Sequence, residues 1–260
     1  MDRLAGKIIV VTGGASGIGE AIARAAIHER ARVIIADIHR PPGLKLAQEL
    51  GPEAHFLELD VAEETSWAAG LDAVVAAHGR LDVLVNNAGV TGHAGDGQND
   101  PEHTSLDEWR RVMRVNLDGV FLGCKHAIRV MRATGGGSII NMSSRSGLVG
   151  VPHQAAYAAS KAAVRNHTKS VALYCAEQGL NIRCNSVHPA AILTPMWEAM
   201  LKDGADAKAV AAASPLHRFG RLDEVAAIVT LLASDEATFI TGSEFNIDGG
   251  ILAGSAGSPK

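Results

Sequence analysis

Several residue types are scarce in this sequence, and each scarcity argues against a class of protein. Aromatic residues make up only 4% of the chain, which leaves little material for a platform that stacks on unpaired bases. The formal net charge is −4 and no Lys/Arg cluster is present, so a nucleic-acid or anionic-membrane surface is not expected. No apolar run approaches the ~18 residues of a membrane span, and the first residues lack a signal peptide's apolar stretch. We therefore expect a small-molecule substrate, with neither nucleic acid nor a membrane as partner.

Cysteine is also rare. The three cysteines, Cys124, Cys175 and Cys184, show no CxxC spacing, so no disulfide framework is predicted and the cytoplasm is the expected compartment. The eleven histidines are scattered without an HExxH or Cys/His cluster, so no metal site is predicted. Hydrophobic residues make up 47% and charged residues 20%, the balance of a globular protein with a sizeable core.

Short β-branched apolar segments alternate with longer helical patterns along the whole chain. This alternation is typical of a parallel sheet covered by helices on both faces. We predict a single doubly wound, Rossmann-type α/β domain over residues 1–260, with seven parallel strands. The predicted strands are Ile8–Thr12, Arg32–Asp37, Ala54–Leu59, Leu81–Asn86, Ser138–Met142, Ile182–Val187 and Glu244–Ile247. The predicted helices begin near Gly17, Pro42, Glu63, Leu106, Ala155 and Asp223.

Two irregular stretches, Val90–Ser105 and 189–214, follow predicted strands. Ligands of doubly wound sheets bind beyond the carboxyl ends of the strands, so both stretches are candidates for the walls of a substrate site. The second stretch holds Ala-rich helical turns and is the predicted substrate loop or lid. For the first stretch, a plain surface insertion is the alternative.

A glycine-rich segment, Thr12–Gly19, joins the first predicted strand to the first predicted helix. Glycines let the backbone approach a pyrophosphate closely, and a helix N-terminus adds free N–H groups and a partial positive charge. A turn with a purely structural role is the alternative, because the glycine spacing differs from the common GxGxxG. The residues predicted to contact the cofactor here are Gly13, Ser16, Gly17, Ile18 and Gly19.

An acid, Asp37, ends the second predicted strand, eighteen positions after Gly19. At that distance a carboxylate accepts hydrogen bonds from the adenosine ribose and repels a 2′-phosphate, which predicts NAD as the cofactor. His39 and Arg40 would weaken the repulsion between this carboxylate and a 2′-phosphate. The alternative interpretation of Asp37 is a solvated aspartate at a strand end.

Two further strand ends carry small or hydrogen-bonding residues. They are Asp60-Val61 after the third strand and Asn86-Asn87-Ala88-Gly89 after the fourth. Both would lie at the sheet edge beside the cofactor, although each alone is typical of an ordinary strand-end turn.

The most specific pattern places Tyr157 and Lys161 four positions apart, with Ser144 thirteen positions before the tyrosine. Residues at this spacing share one helix face. A lysine cation ~5 Å from a phenol, at an effective dielectric of ~20, favours the phenolate by roughly 3 kcal/mol and so lowers its pKa by about two. Tyr157 is therefore the predicted general acid/base, and Ser144 would donate to the substrate oxygen. In isolation the pair would more often be a solvated helix face.

Together these motifs resemble the short-chain dehydrogenase/reductase family over essentially the whole chain. The matching elements are Thr12–Gly19, Asp37, Asp60-Val61, Asn86–Gly89, Asn116, Ser144, Tyr157, Lys161, Asn185 with Pro189, Ile192 and Thr194. The resemblance implies hydride transfer between NAD(H) and a secondary alcohol or ketone. It also implies a homotetramer packed through the helices that carry Asn116 and Tyr157.

The resemblance implies individual roles as well. Asn116 would complete the catalytic set with Ser144, Tyr157 and Lys161 by holding a water in a proton relay. Lys161 would also bind the nicotinamide ribose, and Asn87 would line the path of the cofactor. Ile192 and Thr194 would fix the nicotinamide carboxamide.

One position departs from the family pattern. The family usually has Pro-Gly after the sixth strand, whereas this chain has Pro189-Ala190. Alanine is tolerated if its φ is negative, but its methyl group would point toward the substrate space.

The segment 185–196 resembles that of bacterial hydroxysteroid and cyclic-alcohol dehydrogenases, which implies a carbocyclic or hydroxysteroid-like substrate. Four apolar residues at helical spacing would form a lid face, with packing or tetramer contacts as their alternative role. These are Met196, Trp197, Met200 and Leu201. The opposite wall would be formed by three apolar residues that precede Tyr157 in the sequence, namely Leu148, Val149 and Val151.

Other activities remain as alternatives. A sugar or polyol is the runner-up substrate, because His93, His153 and Gln154 offer polar partners for its hydroxyls. A carrier-protein ketoreductase shares the catalytic set, but such enzymes usually prefer NADPH. A catalytically silent NAD-sensing scaffold would typically have lost the tyrosine or the lysine. A hydrolase is excluded because there is no GxSxG elbow.

Overall fold

The fold, taken from a computed structural model that describes residues 2–92, 99–202, 204 and 206–254, is built around one parallel sheet. Its strands are β1 Ile8–Thr12, β2 Arg32–Asp37, β3 Ala54–Glu58, β4 Val83–Asn86, β5 Gly137–Met142, β6 Ile182–Pro189 and β7 Glu244–Ile247. The helices are α1 Gly17–His28, α2 Arg40–Leu50, α3 Glu64–His78, α4 Leu106–Met113, α5 Gly119–Thr134, α6 Ala155–Glu177, α7 Pro195–Lys202, α8 Ala207–Ala212 and α9 Leu222–Ala233.

The seven strands lie in the order β3-β2-β1-β4-β5-β6-β7, and every neighbouring pair is parallel. The order reverses between β1 and β4, which is the point where doubly wound sheets bind their ligands. The predicted doubly wound α/β fold with seven parallel strands is confirmed. Three strands (β1, β2 and β7) have the predicted bounds, and the other four differ at one end by one or two residues. Among these, β6 continues to Pro189, which pairs with Ile247 of β7.

Both faces of the sheet are covered, which explains why the central strands β1 and β4 are apolar up to their last residue instead of alternating with polar residues. Successive side chains of β1 point to opposite faces. Ile9 and Val11 belong to a core shared with α1 and α9, while Ile8 and Val10 belong to a core shared with α3 and α5.

The helix predicted from Leu106 continues as one helical run to Thr134, with a π-helical turn at Arg114–Asp118 between α4 and α5. Sequence pattern gave no indication of this turn, which contains Asn116. Within the predicted lid region the structure places α7 and α8. Across the described ranges, none of the helices has both the length and the apolar character that crossing a bilayer requires.

Candidate active site

The turn after β1 passes very close to the turn after β4. Gly13 has φ +59°, and a Cβ there would lie 2.9 Å from the Cα of Ala88. The Asn87 side chain donates to the carbonyl oxygens of Thr12 at 2.9 Å and Gly13 at 3.2 Å. In return, the Thr12 hydroxyl accepts from the backbone N–H groups of Asn87 at 2.9 Å and Ala88 at 3.1 Å. The two turns are therefore fixed to each other, and glycine is required at position 13.

The glycine turn opens onto the N-terminus of α1. Ser16 precedes this helix, and its side chain does not cap it. First-turn N–H groups without a side-chain acceptor are available to a phosphate, and the helix dipole favours that negative charge. The backbone and the helix end thus fit the pyrophosphate of a dinucleotide.

Asp37 lies at the end of β2 with its carboxylate held by two backbone groups. One oxygen accepts from the N–H of Ala15 at 3.1 Å, and the other accepts from the N–H of His39 at 2.9 Å. The side chain is buried but lines the cavity beyond the glycine turn. Each oxygen keeps a lone pair for a further donor, which suits a ribose diol.

Tyr157 and Lys161 lie on one face of α6, and Ser144 follows β5. The Lys161 ammonium donates to the carbonyl oxygen of Met142 at 2.8 Å and lies 5.7 Å from the centre of the Tyr157 ring. The Ser144 hydroxyl accepts from the N–H of Ser146 at 3.2 Å. A phenol, a hydroxyl and a buried ammonium therefore converge at the carboxyl end of β5.

The electrostatics of Tyr157 differ from the prediction. Burial raises the pKa of the Tyr157 phenol, and a hydrogen bond with Ser144 only partly offsets that effect. Burial also lowers the pKa of Lys161 to about 8. The predicted net lowering of the tyrosine pKa is thus wrong for the chain's own residues, because the loss of solvation dominates.

Asn116 lies behind this cluster and does not line the cavity into which Tyr157 and Lys161 open. Its side-chain oxygen accepts from the N–H of Val90 at 2.8 Å, and its amide donates to the Val90 carbonyl at 2.9 Å and the Ser160 hydroxyl at 3.1 Å. Gly89 separates it from Lys161: a Cβ on Gly89 would lie 3.2 Å from the Asn116 oxygen and 3.4 Å from the lysine nitrogen. Asn116 thereby fixes the backbone beside the ammonium.

A first cavity of about 370 Å³ runs from the glycine turn to Tyr157. It brings together nearly all of the residues that the sequence pointed to for cofactor binding and catalysis, whereas Gly19 and Asn116 are packed behind it. The predicted residues on its wall are Gly13, Ser16, Gly17, Ile18, Asp37, Asp60, Val61, Asn87, Ala88, Gly89, Ser144, Tyr157, Lys161, Ile192 and Thr194.

A second cavity of about 860 Å³ adjoins the first. Ser144 and Tyr157 line both cavities, and so does Trp197 of α7. The remaining wall of the second cavity is largely apolar and includes Val151, Val210, Ala213, Ile228 and Ile247. A molecule held there would meet the phenol and the serine hydroxyl at one end.

Comparison with known proteins identifies this arrangement. The family model described as Enoyl-(Acyl carrier protein) reductase matches residues 13–252. A 3-beta-hydroxysteroid dehydrogenase of Comamonas testosteroni is 41% identical over 254 residues, which cover 96% of this chain and 98% of that protein. The chain belongs to the short-chain dehydrogenase/reductase family. It is accordingly an oxidoreductase that works with a nicotinamide cofactor.

Other relatives and a solved structure agree with this membership. Cyclopentanol dehydrogenase of Comamonas sp. (strain NCIMB 9872) is 41% identical over 256 residues, 97% of this chain and 100% of that one. The NADP-dependent (R)-specific alcohol dehydrogenase of Lentilactobacillus kefiri is 41% identical over 255 residues, covering 97% and 99%. The crystal structure of gox2181 superposes with a TM-score of 0.90 at 34% identity and covers 97% of this chain and 98% of that one.

Some of the residues predicted for the substrate side of this dehydrogenase line the second cavity, and others do not. Trp197 lines the second cavity, and its ring meets that of Phe219 edge-on at 5.6 Å between centroids. Val151 and Gln154 also line it, whereas Leu148, Val149, Leu201 and His153 do not line either of the two cavities. His93 and the side chains of Met196 and Met200 lie outside the described part of the chain.

Several wall residues of the dehydrogenase were missed by sequence reasoning. They include residues 246–251 at the end of β7 and beyond it, Pro215 and Leu216 after α8, and Arg145. A signal for the first group was available: Asp248-Gly249-Gly250 follows a parallel strand, and ligands bind beyond the carboxyl ends of such strands. Pro215 and Leu216 lie beyond the predicted lid and offered no comparable signal.

Ala190, where the family usually has glycine, lines both cavities. Over the described ranges only Arg30 and His217 combine a positive φ with a side chain, so alanine is unstrained at position 190. Its backbone N–H donates to the Ile247 carbonyl at 3.0 Å and so links the end of β6 to β7. Alanine at this position is therefore part of the wall of both cavities and leaves the sheet undisturbed.

Proposed function

We propose that this dehydrogenase transfers a hydride between NAD(H) and a secondary alcohol or ketone. The observation that carries the proposal is that Tyr157 and Ser144 line both cavities. An alcohol in the second cavity therefore reaches the phenol and the first cavity at the same point. A bound nicotinamide supplies the hydride acceptor in the first cavity.

The chain's own residues would handle the oxygen and the proton. The Ser144 hydroxyl donates to the substrate oxygen and positions it beside Tyr157. Tyr157 accepts the proton of the alcohol during oxidation and returns it to the ketone oxygen during reduction. The Lys161 ammonium, held by the Met142 carbonyl, stabilises the phenolate that forms. Asn116 keeps Val90 in place next to this group.

We propose NAD in preference to NADP because of Asp37. The carboxylate lies on the wall of the first cavity and would repel a 2′-phosphate. The related alcohol dehydrogenase of Lentilactobacillus kefiri is NADP-dependent by name, so family membership alone does not decide the cofactor. The acid at the end of β2 supports NAD for this chain.

We propose a carbocyclic secondary alcohol as the substrate class. The second cavity has an apolar wall, which favours a ring over a sugar whose hydroxyls each need a polar partner. The names of two relatives, a 3-beta-hydroxysteroid dehydrogenase and a cyclopentanol dehydrogenase, are consistent with such a ring. Segment 189–214, with α7 and α8, would form its lid.

We further propose a cytoplasmic homotetramer. Three helices of the proposed interfaces carry large apolar side chains that are exposed on the single chain, as expected for surfaces that pack against other copies. They are Leu106 and Trp109 of α4, Phe121 of α5, and Leu173 and Tyr174 of α6. The three free cysteines, all buried, suit a reducing compartment. Sedimentation of the purified protein tests the assembly.

The test of the function is an assay of cyclohexanol, cyclopentanol and glucose with NAD⁺ or NADP⁺, following absorbance of the reduced cofactor. We expect NAD⁺-dependent oxidation of the cyclic alcohols with a higher kcat/KM than glucose. Oxidation of glucose in preference to the cyclic alcohols would overturn the substrate class. Absence of turnover with every alcohol, in protein that binds NADH, would overturn the function.

A further inference from the structure

Arg145 occupies a position in the second cavity that the hydride-transfer chemistry does not use. It follows Ser144 directly, begins a short 3₁₀ turn at Arg145–Gly147, and is half-buried. Arg145 lines the second cavity but not the first. A positive charge is thus built into the substrate side next to the serine that would hold the reacting oxygen.

The other charged groups of this wall are already satisfied. Arg218 donates to both oxygens of Glu224, at 2.6 and 2.9 Å. The carboxylate of Asp248 accepts backbone N–H groups from Gly250 at 2.9 Å and Leu252 at 3.1 Å. The Arg145 guanidinium has no hydrogen bond or ion pair with any described residue.

A guanidinium that has lost part of its water and has gained no partner is unfavourable, so such an arrangement calls for a ligand. The planar fork of arginine matches a carboxylate, which it binds through two parallel N–H···O bonds. The apolar residues of the same wall would pack against a ring. We propose that Arg145 binds a carboxylate on the substrate, so that the enzyme acts on a hydroxylated carbocyclic acid.

The chain also limits the size of this acid. Ser144 and Arg145 are consecutive, with Cα atoms about 3.8 Å apart, and both line the second cavity, so a compact substrate can contact both residues. That geometry suits one small ring between the two groups better than a fused four-ring skeleton. This inference rests on the proposed function and narrows its substrate class.

The test compares 4-hydroxycyclohexanecarboxylate with cyclohexanol, using NAD⁺ and the wild-type enzyme. We expect kcat/KM to be at least about tenfold higher for the acid, mainly through a lower KM, since a charge-assisted hydrogen bond contributes a factor of that order. In Arg145→Met the ratio of the two kcat/KM values should fall at least about tenfold. A general loss of activity in the variant lowers both kcat/KM values equally and cancels in this ratio. Arg145→Lys, which keeps the positive charge, should retain part of the preference for the acid.

The matched control is Arg129→Met, which removes an exposed arginine that pairs with Asp72 and lines neither cavity. Its ratio should equal that of the wild type. A second measurement needs no variant: cyclohexanecarboxylate should inhibit cyclohexanol oxidation competitively, and cyclohexanecarboxamide should not.

Three results would each overturn the role of Arg145 and leave the dehydrogenase function standing. The first is equal kcat/KM for the acid and cyclohexanol in the wild type, and the second is equal inhibition by cyclohexanecarboxylate and cyclohexanecarboxamide. The third is an Arg145→Met enzyme whose ratio of the two kcat/KM values equals that of the wild type. Oxidation of neither compound would overturn the proposed function and this inference together.

Discussion

The Lys161 ammonium and the Tyr157 phenol share one face of α6, yet the ammonium donates to the carbonyl of Met142 at the end of β5. The lysine is thereby held near the ring, 5.7 Å from its centre, while the phenol has a hydrogen bond with Ser144 and lines both cavities. Lys161 is buried and Tyr157 is half-buried. The loss of solvation disfavours the charged form of each group, so it raises the pKa of the phenol and lowers the pKa of the ammonium.

Replacing Tyr157 with phenylalanine removes the proposed proton-transfer group and leaves the packing of the ring unchanged. General acid–base contributions are typically ~10²–10⁴-fold, so we expect kcat to fall at least a hundredfold, about the lower end of that range. Tyr174→Phe on the same helix is the matched control, because it removes the same hydroxyl from a tyrosine that lines neither cavity. A Tyr157→Phe enzyme with near wild-type kcat would require a different acid/base.

Replacing Asp37 with asparagine removes the charge that would repel a 2′-phosphate. The amide oxygen can still accept one of the two backbone hydrogen bonds, so the turn should persist. We expect the preference for NAD⁺ over NADP⁺, measured as the ratio of kcat/KM values, to fall at least about tenfold, which corresponds to ~1.4 kcal/mol. Equal use of both cofactors by the wild-type enzyme would contradict the role given to Asp37.

The lowered pKa of Lys161 makes stability depend on pH. Between pH 8 and the ordinary lysine pKa of 10.5, the folded chain has lost this proton and the unfolded chain retains it. The unfolded state then binds more protons, so the free energy of unfolding rises with pH through this window. Relative to Lys161→Met, the wild type should gain about 2 kcal/mol between pH 8 and pH 10.

Urea unfolding at several pH values measures this difference. The control is Lys45→Met, which changes a lysine whose side chain is 78% exposed on α2. Its difference from the wild type should stay flat over the same range. A flat difference for Lys161→Met as well would show that Lys161 keeps its proton in the fold.

Replacing Asn116 with leucine tests its structural contribution. The change leaves the N–H and carbonyl of Val90 without their partner and removes the bond to Ser160. Each buried group left unpaired costs ~1–3 kcal/mol, so we expect a loss of about 3 kcal/mol in the free energy of unfolding. Asn181→Leu, at an exposed site with one long hydrogen bond to Gly135, should change it by less than about 0.5 kcal/mol. Equal effects of the two variants would refute the role of Asn116.

The sequence predicted the sheet and the cofactor side well because both depend on local patterns. Apolar β-branched segments define the strands, and the glycine turn, Asp37 and the Tyr157–Lys161 pair each lie within or just beyond a single element. Parallel pairing then brings the strand ends to one edge, so residues far apart in sequence converge without any further signal.

The substrate side was less predictable because it depends on tertiary packing. The π-helical turn at Asn116 has no hydrophobic periodicity of its own, and whether a loop residue faces a cavity depends on neighbours from other elements. Leu148 and Val149 were therefore assigned to a wall that only Val151 reaches. The pKa of Tyr157 was misjudged for a similar reason, since the spacing of two residues does not reveal how deeply both are buried.

The two cavities are lined by different parts of the chain. Apart from Thr91, the second cavity is built from residues 144–251, whereas the glycine turn, Asp37 and Asn87 of the first all precede residue 90. Mutations in the carboxyl-terminal part alone can therefore change which substrates the enzyme oxidises, while the glycine turn, Asp37 and Asn87 stay the same. An exchange of residues 144–254 between this chain and a relative should transfer substrate preference while the preference between NAD and NADP stays with the amino-terminal part.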